Sequence, residues 1–166
     1  MRRKIYNYFK KNNIPEIVFA HCDIPCKIYD PIIVQIGVVT MLRLADLIED
    51  LDNSNSPSVD DKAQFNRLVN QKEEHGIRVK EEIRVIWGDY FKKHHFEEFP
   101  ELHDLTHSIM IKCSISKQII NKDCVIDLLD SVNRFAEIFW HTKKIKTFKA
   151  KCPYPPEIEL VYPNLN

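Results

Sequence analysis

The sequence has no excess of either charge: 24 Lys and Arg stand against 24 Asp and Glu. That balance gives no reason to expect a nucleic acid or an anionic membrane surface as partner. No apolar run approaches the length needed to span a bilayer. No internal repeat is visible, and no stretch alternates convincingly as a strand. Paired cysteines are missing too: the five, at 22, 26, 113, 124 and 152, are odd in number and scattered. Such usage argues against a secreted disulfide framework and for a reducing, cytoplasmic setting. What is present is 44% apolar residues in 166, enough for one domain with a real core.

Helical periodicity carries most of that apolar content. Asp30-Pro31 reads as a helix start, with Asp at the N-cap and Pro at the first helical position. Ile33, Ile36, Gly37, Thr40, Leu44, Leu47 and Leu51 then recur at helical spacing, and the polar run 52–57 ends the element. A second helix is expected from Ser58–Asp61 to Tyr90, carrying Phe65, Leu68, Val69, Lys72, Val79, Ile83, Ile86 and Trp87. Its stripe fails between Gln71 and Gly76, leaving a polar notch at His75 and Gly76. Residues 92–99 read as a connection, and Pro100 restarts a helix through Leu102, Leu105, Ile109 and Cys113. After a break at 114–122, with Asn121 as cap, a fourth helix puts Val125, Leu128, Leu129, Val132, Phe135, Ala136, Phe139 and Trp140 on one face. The expected fold is therefore all-α, an antiparallel, up-down-up-down four-helix bundle over 32–144. Residues 145–166, basic and then proline-rich, read as a solvated tail.

Candidate chemistry concentrates in His21-Cys22-Asp23-Ile24-Pro25-Cys26-Lys27-Ile28-Tyr29-Asp30-Pro31. Two thiols in one short loop, with an imidazole and a stiffening proline, suit a soft or borderline first-row metal in an N,S field. The spacing C-x-x-x-C alone is weak evidence, because cysteines often act as small buried hydrophobes. His103 and His107 stand four apart on one helix, but no further donor completes a site. Cys113, Cys124, Phe139 and Trp140 read as packing residues. Residues 1–20 start basic and turn polar, and Ile17-Val18-Phe19-Ala20 is too short for a secretion signal. From the residues alone they read as a frayed tail.

The eleven-residue run closely resembles the nickel hook of nickel-containing superoxide dismutases, H-C-x-x-P-C-G-x-Y-D-P. The likeness continues in family order through Ile86-Trp87-Gly88-Asp89-Tyr90-Phe91-Lys92, His95-Phe96-Glu97, Phe99-Pro100-Glu101-Leu102-His103 and Ile138-Phe139-Trp140-His141-Thr142-Lys143-Lys144. These are similar to the family's W-S-D-Y-F-K, H-F-E-K-Y-P-E-L-H and F-W-E-T-K-K, so the match spans about residues 21–144. The resemblance implies a superoxide dismutase that cycles nickel between Ni2+ and Ni3+, turning superoxide into oxygen and hydrogen peroxide. It implies a leader at 1–20 that a processing peptidase cuts before His21, leaving a free amine. It also implies a homohexamer.

By the same resemblance, the metal ligands are Cys22, Cys26 and His21, with the amide of Cys22 and the freed amine completing the set. The His21 imidazole is axial in the oxidised state. Tyr29 stands at the mouth of the hook and takes part with His21 in catalysis, while Asp23, Pro25, Tyr90 and Lys92 surround it. Lys27 stands where the family has glycine. The charged pair that orients the family's imidazole falls on Gly37 and His75, so His75 is expected to reach the His21 ring through space left by Gly37 and Gly76. The alternative reading is an impaired homologue that holds nickel, copper or zinc as a sensor or store. A third is a plain helical bundle with idle cysteines.

Overall fold

Asp30 starts the first helix as expected, its Oδ1 accepting the Ile32 N–H at 2.9 Å. The structure, a computed structural model, describes residues 26–52 and 57–165. The first helix, α1 (Ile32–Asp52), buries Val34, Val38, Met41, Ala45 and Ile48. The expected stripe lies one position round from this, with Ile33 and Ile36 55% and 45% exposed. Since α1 is apolar on nearly every face, spacing alone fits two stripes, and packing against the later helices selects one.

In α2 (Val59–Val85), Ser58 forms a reciprocal cap with Asp61. The serine hydroxyl accepts the Asp61 N–H at 3.1 Å and the Asp61 carboxylate accepts the Ser58 N–H at 2.8 Å. These hydrogen bonds hold the Asp61 carboxyl below its ordinary range. The expected polar notch is not a gap. Lys72 fills it at 1% exposure, its Nζ donating to the carbonyls of Ser116, Lys117 at 2.9 Å and Ile119 at 3.0 Å. Those are the terminal carbonyls of α4 (Leu102–Gln118), so a buried cation meets the negative end of a helix dipole. Burial pulls the ammonium below the ordinary lysine range, opposed by Glu73 and Cys113. His75, half-buried one turn on, is held below 6.5 by burial and then by Arg78, with Glu74 opposing.

A single π-helical turn, Ile86–Tyr90, ends α2, its Phe91 N–H reaching back to the Ile86 carbonyl at 3.2 Å. The expected connection at 92–99 contains a short helix, α3 (Lys93–Glu98). Helix α4 runs to Gln118, so the expected break at 114–122 shrinks to a few residues. Asn121 caps α5 (Lys122–Thr142) as expected, its Oδ1 accepting the Cys124 N–H at 3.2 Å. Every residue expected on the inward face of α5 is buried. Helix α1 packs on α2 and α5, and α4 packs on α5 and α2. No helix among the described residues is long and apolar enough to cross a membrane.

The segment expected to be a solvated tail is folded. Strands β1 (Thr147–Lys151) and β2 (Glu159–Pro163) pair antiparallel, with Thr147 opposite Pro163 and Lys151 opposite Glu159. Cys152, Leu160 and Val161 are buried. Docking runs through two buried amides. Gln35 Nε2 donates to Asn133 Oδ1 at 2.9 Å and to the Val161 carbonyl at 3.0 Å. Asn133 donates to the Glu159 carbonyl at 3.1 Å and accepts the Val161 N–H at 3.2 Å. Pro153, Pro155 and Pro156 lie in the connecting turn, where no ladder N–H is needed.

Two predictions follow from the polar groups of α2. Lys72→Ala strands the α4 carbonyls and lowers unfolding free energy by about 2–4 kcal/mol in chemical denaturation, since buried hydrogen bonds to a charge are the strong ones. Because the His75 pKa is lowered, the unfolded chain takes up its proton first as pH falls, so stability drops through the window just below 6.5. His75→Gln flattens that part of the stability–pH curve. His95, also held below 6.5 by burial and by His94, supplies the slope that persists.

Candidate metal centre

Cys26 lies on the non-helical run that leads into α1, where it borders a cavity of about 440 Å³. Tyr29, Asp30 and Ile33 form one wall, and Glu82, Val85 and Ile86 of α2 form the other. The walls are mostly apolar, so the thiol faces a space with few competing ligands. Lys27, next to it and exposed, has a φ of 59°. This is the left-handed region that glycine adopts freely and that costs other residues about 1–2 kcal/mol. The lysine thus keeps the backbone form suited to the glycine it replaces.

Tyr29 joins this run to the helical body. Its ring packs on Tyr90, with centroids 5.6 Å apart at 53°. Tyr90 ends the π-helical turn and is itself enclosed: Phe139 lies 4.6 Å from its centroid, and the His95 ring stacks nearly parallel to it at 5.6 Å. The Tyr90 hydroxyl is 2.7 Å from Thr142 Oγ1, and the Lys143 ammonium sits 4.9 Å from the ring centre. Lys92 follows two residues later, exposed, its Nζ donating to the Asp89 carbonyl at 2.7 Å. Cys26, Tyr29 and Tyr90 are therefore brought to one end of the molecule. His21, Cys22, Asp23 and Pro25 lie outside the described residues.

His75 is not brought to this cavity. It stands seven residues before Glu82 on α2, about 10 Å along the helix axis. The space expected beside it is also filled. A Cβ on Gly37 would come within 2.8 Å of Val79 Cγ2, and one on Gly76 would strike Lys117 and come within 3.3 Å of Met41 Cε. Both glycines serve close packing, which corrects the expectation of a passage between them. Gly37 does face α2 near the His75 carbonyl.

Of the expected donors Cys26 alone lies among the described residues, and its thiol suits a soft metal. Among the described residues no group of three or more His, Cys, Asp or Glu is placed to hold a metal ion. Cys113 is no donor: its thiol is buried, bonded to the Gly76 carbonyl at 3.1 Å, and pushed up to about 11 by burial. His103 is committed elsewhere, accepting from Trp87 Nε1 at 3.2 Å and stacked on Phe96 at 4.0 Å. Glu82, Thr142 and Lys143 had not been singled out from sequence. Thr142 and Lys143 fall inside the matched F-W-x-T-K-K segment, which was the available signal, whereas nothing marked Glu82.

Comparison with known proteins places these features. Residues 16–143 match the sequence profile of nickel-containing superoxide dismutase. The hairpin Thr147–Pro163 lies beyond that match. The nickel superoxide dismutase of Streptomyces coelicolor is 32% identical over 127 residues, covering 76% of this chain and 91% of the relative. That of Streptomyces seoulensis is 33% identical over 128 residues, with the same coverage. A native nickel superoxide dismutase structure superposes with a TM-score of 0.64 at 31% identity, covering 74% of this chain and 99% of the other. A nickel-containing superoxide dismutase after partial X-ray-induced reduction gives 0.66 at 31%, covering 75% and 99%. With sequence and architecture matched along the whole helical body, the chain belongs to the nickel-containing superoxide dismutase family, oxidoreductases that act on superoxide with nickel as cofactor.

Proposed function

We propose that the chain disproportionates superoxide at a nickel ion held by His21, Cys22 and Cys26, after a peptidase removes residues 1–20. The observation that carries this reading is that the family match begins before the 21–31 run and ends after the helical body. We read that body as an antiparallel, up-down-up-down bundle of α1, α2, α4 and α5 with the hook at its N-terminal side. The ring of packing partners and the short connections support this. The exposed Ile33 and Ile36 support a homo-oligomer, for which the family's hexamer is our reading. The scattered cysteines support a cytoplasmic setting.

Bound nickel supplies a one-electron couple, Ni2+ to Ni3+, through which superoxide is oxidised in one half-reaction and reduced in the other. The chain's own groups do the rest. Tyr29, beside Cys26 on the cavity wall, offers a hydroxyl that holds superoxide or passes it a proton. Ile33, Val85 and Ile86 limit water around the thiol. Lys92 draws the anion by its charge, which salt screens. Asp23 and Pro25 shape the loop, and Tyr90 backs Tyr29. His75 stands about 10 Å along α2 from the cavity with Gly37 and Gly76 packed beside it, so its support of the His21 ring is the weakest of these roles, and a His75→Ala variant with unchanged nickel content and rate removes it.

The chain beginning at His21 and carrying one nickel consumes superoxide, and Cys22→Ser or Cys26→Ser abolishes consumption. Natively produced protein that keeps Met1 and lacks nickel contradicts the reading. A chain that binds nickel but leaves superoxide untouched is instead the sensor or store.

A further inference from the structure

We propose that Thr142 is a positioning residue, whose hydroxyl fixes the proton of the Tyr90 phenol and so sets the surface on which Tyr29 rests. The inference rests on the reading that Tyr29 borders the nickel site. Its basis is a count of protons. Thr142 Oγ1 donates its one hydrogen to the Phe139 carbonyl at 2.7 Å, three residues back at the end of α5. The same oxygen lies 2.7 Å from the Tyr90 hydroxyl. With its own hydrogen used, Thr142 can only accept, so Tyr90 donates.

The consequence is a fixed phenol. Its proton points into the helical body at Thr142, and what it offers any neighbour is oxygen lone pairs. Phe139 at 4.6 Å and His95 at 5.6 Å hold the ring from the sides, and Lys143 sits 4.9 Å from its centre. Four groups from α3 and the end of α5 thus set the place of Tyr90. Tyr29, packed on it at 5.6 Å, comes from a run whose Lys27 and Ile28 are exposed, and that ring is one face of its seat. A threonine that merely closes a helix end would make the bond to Phe139 and leave the phenol proton free. Accepting from Tyr90 separates the two roles.

The test uses the chain beginning at His21 with Thr142→Val, which keeps the shape and removes the hydroxyl, and Thr142→Ser, which keeps the hydroxyl. In nickel-free wild-type protein, proton NMR shows a slowly exchanging Tyr90 hydroxyl that cross-relaxes with the Thr142 methyl. The protected signal survives in Thr142→Ser and is lost in Thr142→Val. In nickel-loaded protein, Thr142→Val lowers kcat/KM for superoxide about 3–10-fold at unchanged nickel content, the scale of one hydrogen bond. Tyr90→Phe gives a similar loss, the double variant is no worse than either, and Thr142→Ser stays within about twofold. An unprotected phenol proton in the wild type, or losses that add in the double variant, overturns the proposal. If the loaded wild type consumes no superoxide, the functional reading fails, and the hydroxyl signal alone decides the role of Thr142.

Discussion

The contact between the Tyr29 and Tyr90 rings joins the run that carries Cys26 to the helical body, and the candidate site depends on it. The non-helical run 26–30 has too little apolar surface to hold itself in place, so its position is set by the body. The body does so twice. The Asp30 cap fixes the direction in which the chain leaves α1, and Tyr90, enclosed by Phe139 and His95, gives Tyr29 a surface to pack on. The π-helical turn is what makes this possible, because its wider step sets Trp87 and Tyr90 off the line that α2 would otherwise follow.

Away from that site, packing and a few buried polar bonds outweigh surface charge. Lys122 bridges Asp46 at 2.7 Å and Glu49 at 2.8 Å, and Arg134 pairs with Glu101 and Glu137, yet all are solvent-facing pairs of small value. Lys72 is different because water is absent and three carbonyls take its place. The Gln35–Asn133 pair belongs to the same class and fastens a hairpin that lies beyond the family match. Inside a low-dielectric core such bonds gain strength and also fix register, so one amide pair settles where β2 sits.

How much of this was legible in the sequence depends on which force formed each part. Helix α5 has one apolar face and one polar face, so Val125 through Trp140 could be read directly. Helix α1 is apolar nearly all round, and no periodicity could choose Val34 and Val38 over Ile33 and Ile36. Spacing put Lys72 on the inward stripe, but nothing local showed what would satisfy it, because the carbonyls that do so come from 44 to 47 residues away. The hairpin was hidden for the same reason: its anchors are side-chain amides in α1 and α5, and its prolines sit where they do no harm. The site divides similarly. Cys26, Tyr29, Tyr90 and Lys92 were found through motif, whereas Thr142 became visible through a hydroxyl distance, and the close packing at Gly37 and Gly76 ran against expectation.

Among the described residues no group of three or more His, Cys, Asp or Glu is placed to hold a metal ion, so on the proposed reading the donors are His21, Cys22 and Cys26 and the body supplies walls and orientation. Nickel-edge X-ray absorption on the chain beginning at His21, loaded with one equivalent of nickel, tests this most directly. The account predicts two sulfur donors, falling to one in Cys26→Ser, with nitrogen completing the shell. A shell of nitrogen and oxygen alone, unchanged by that substitution, would contradict it.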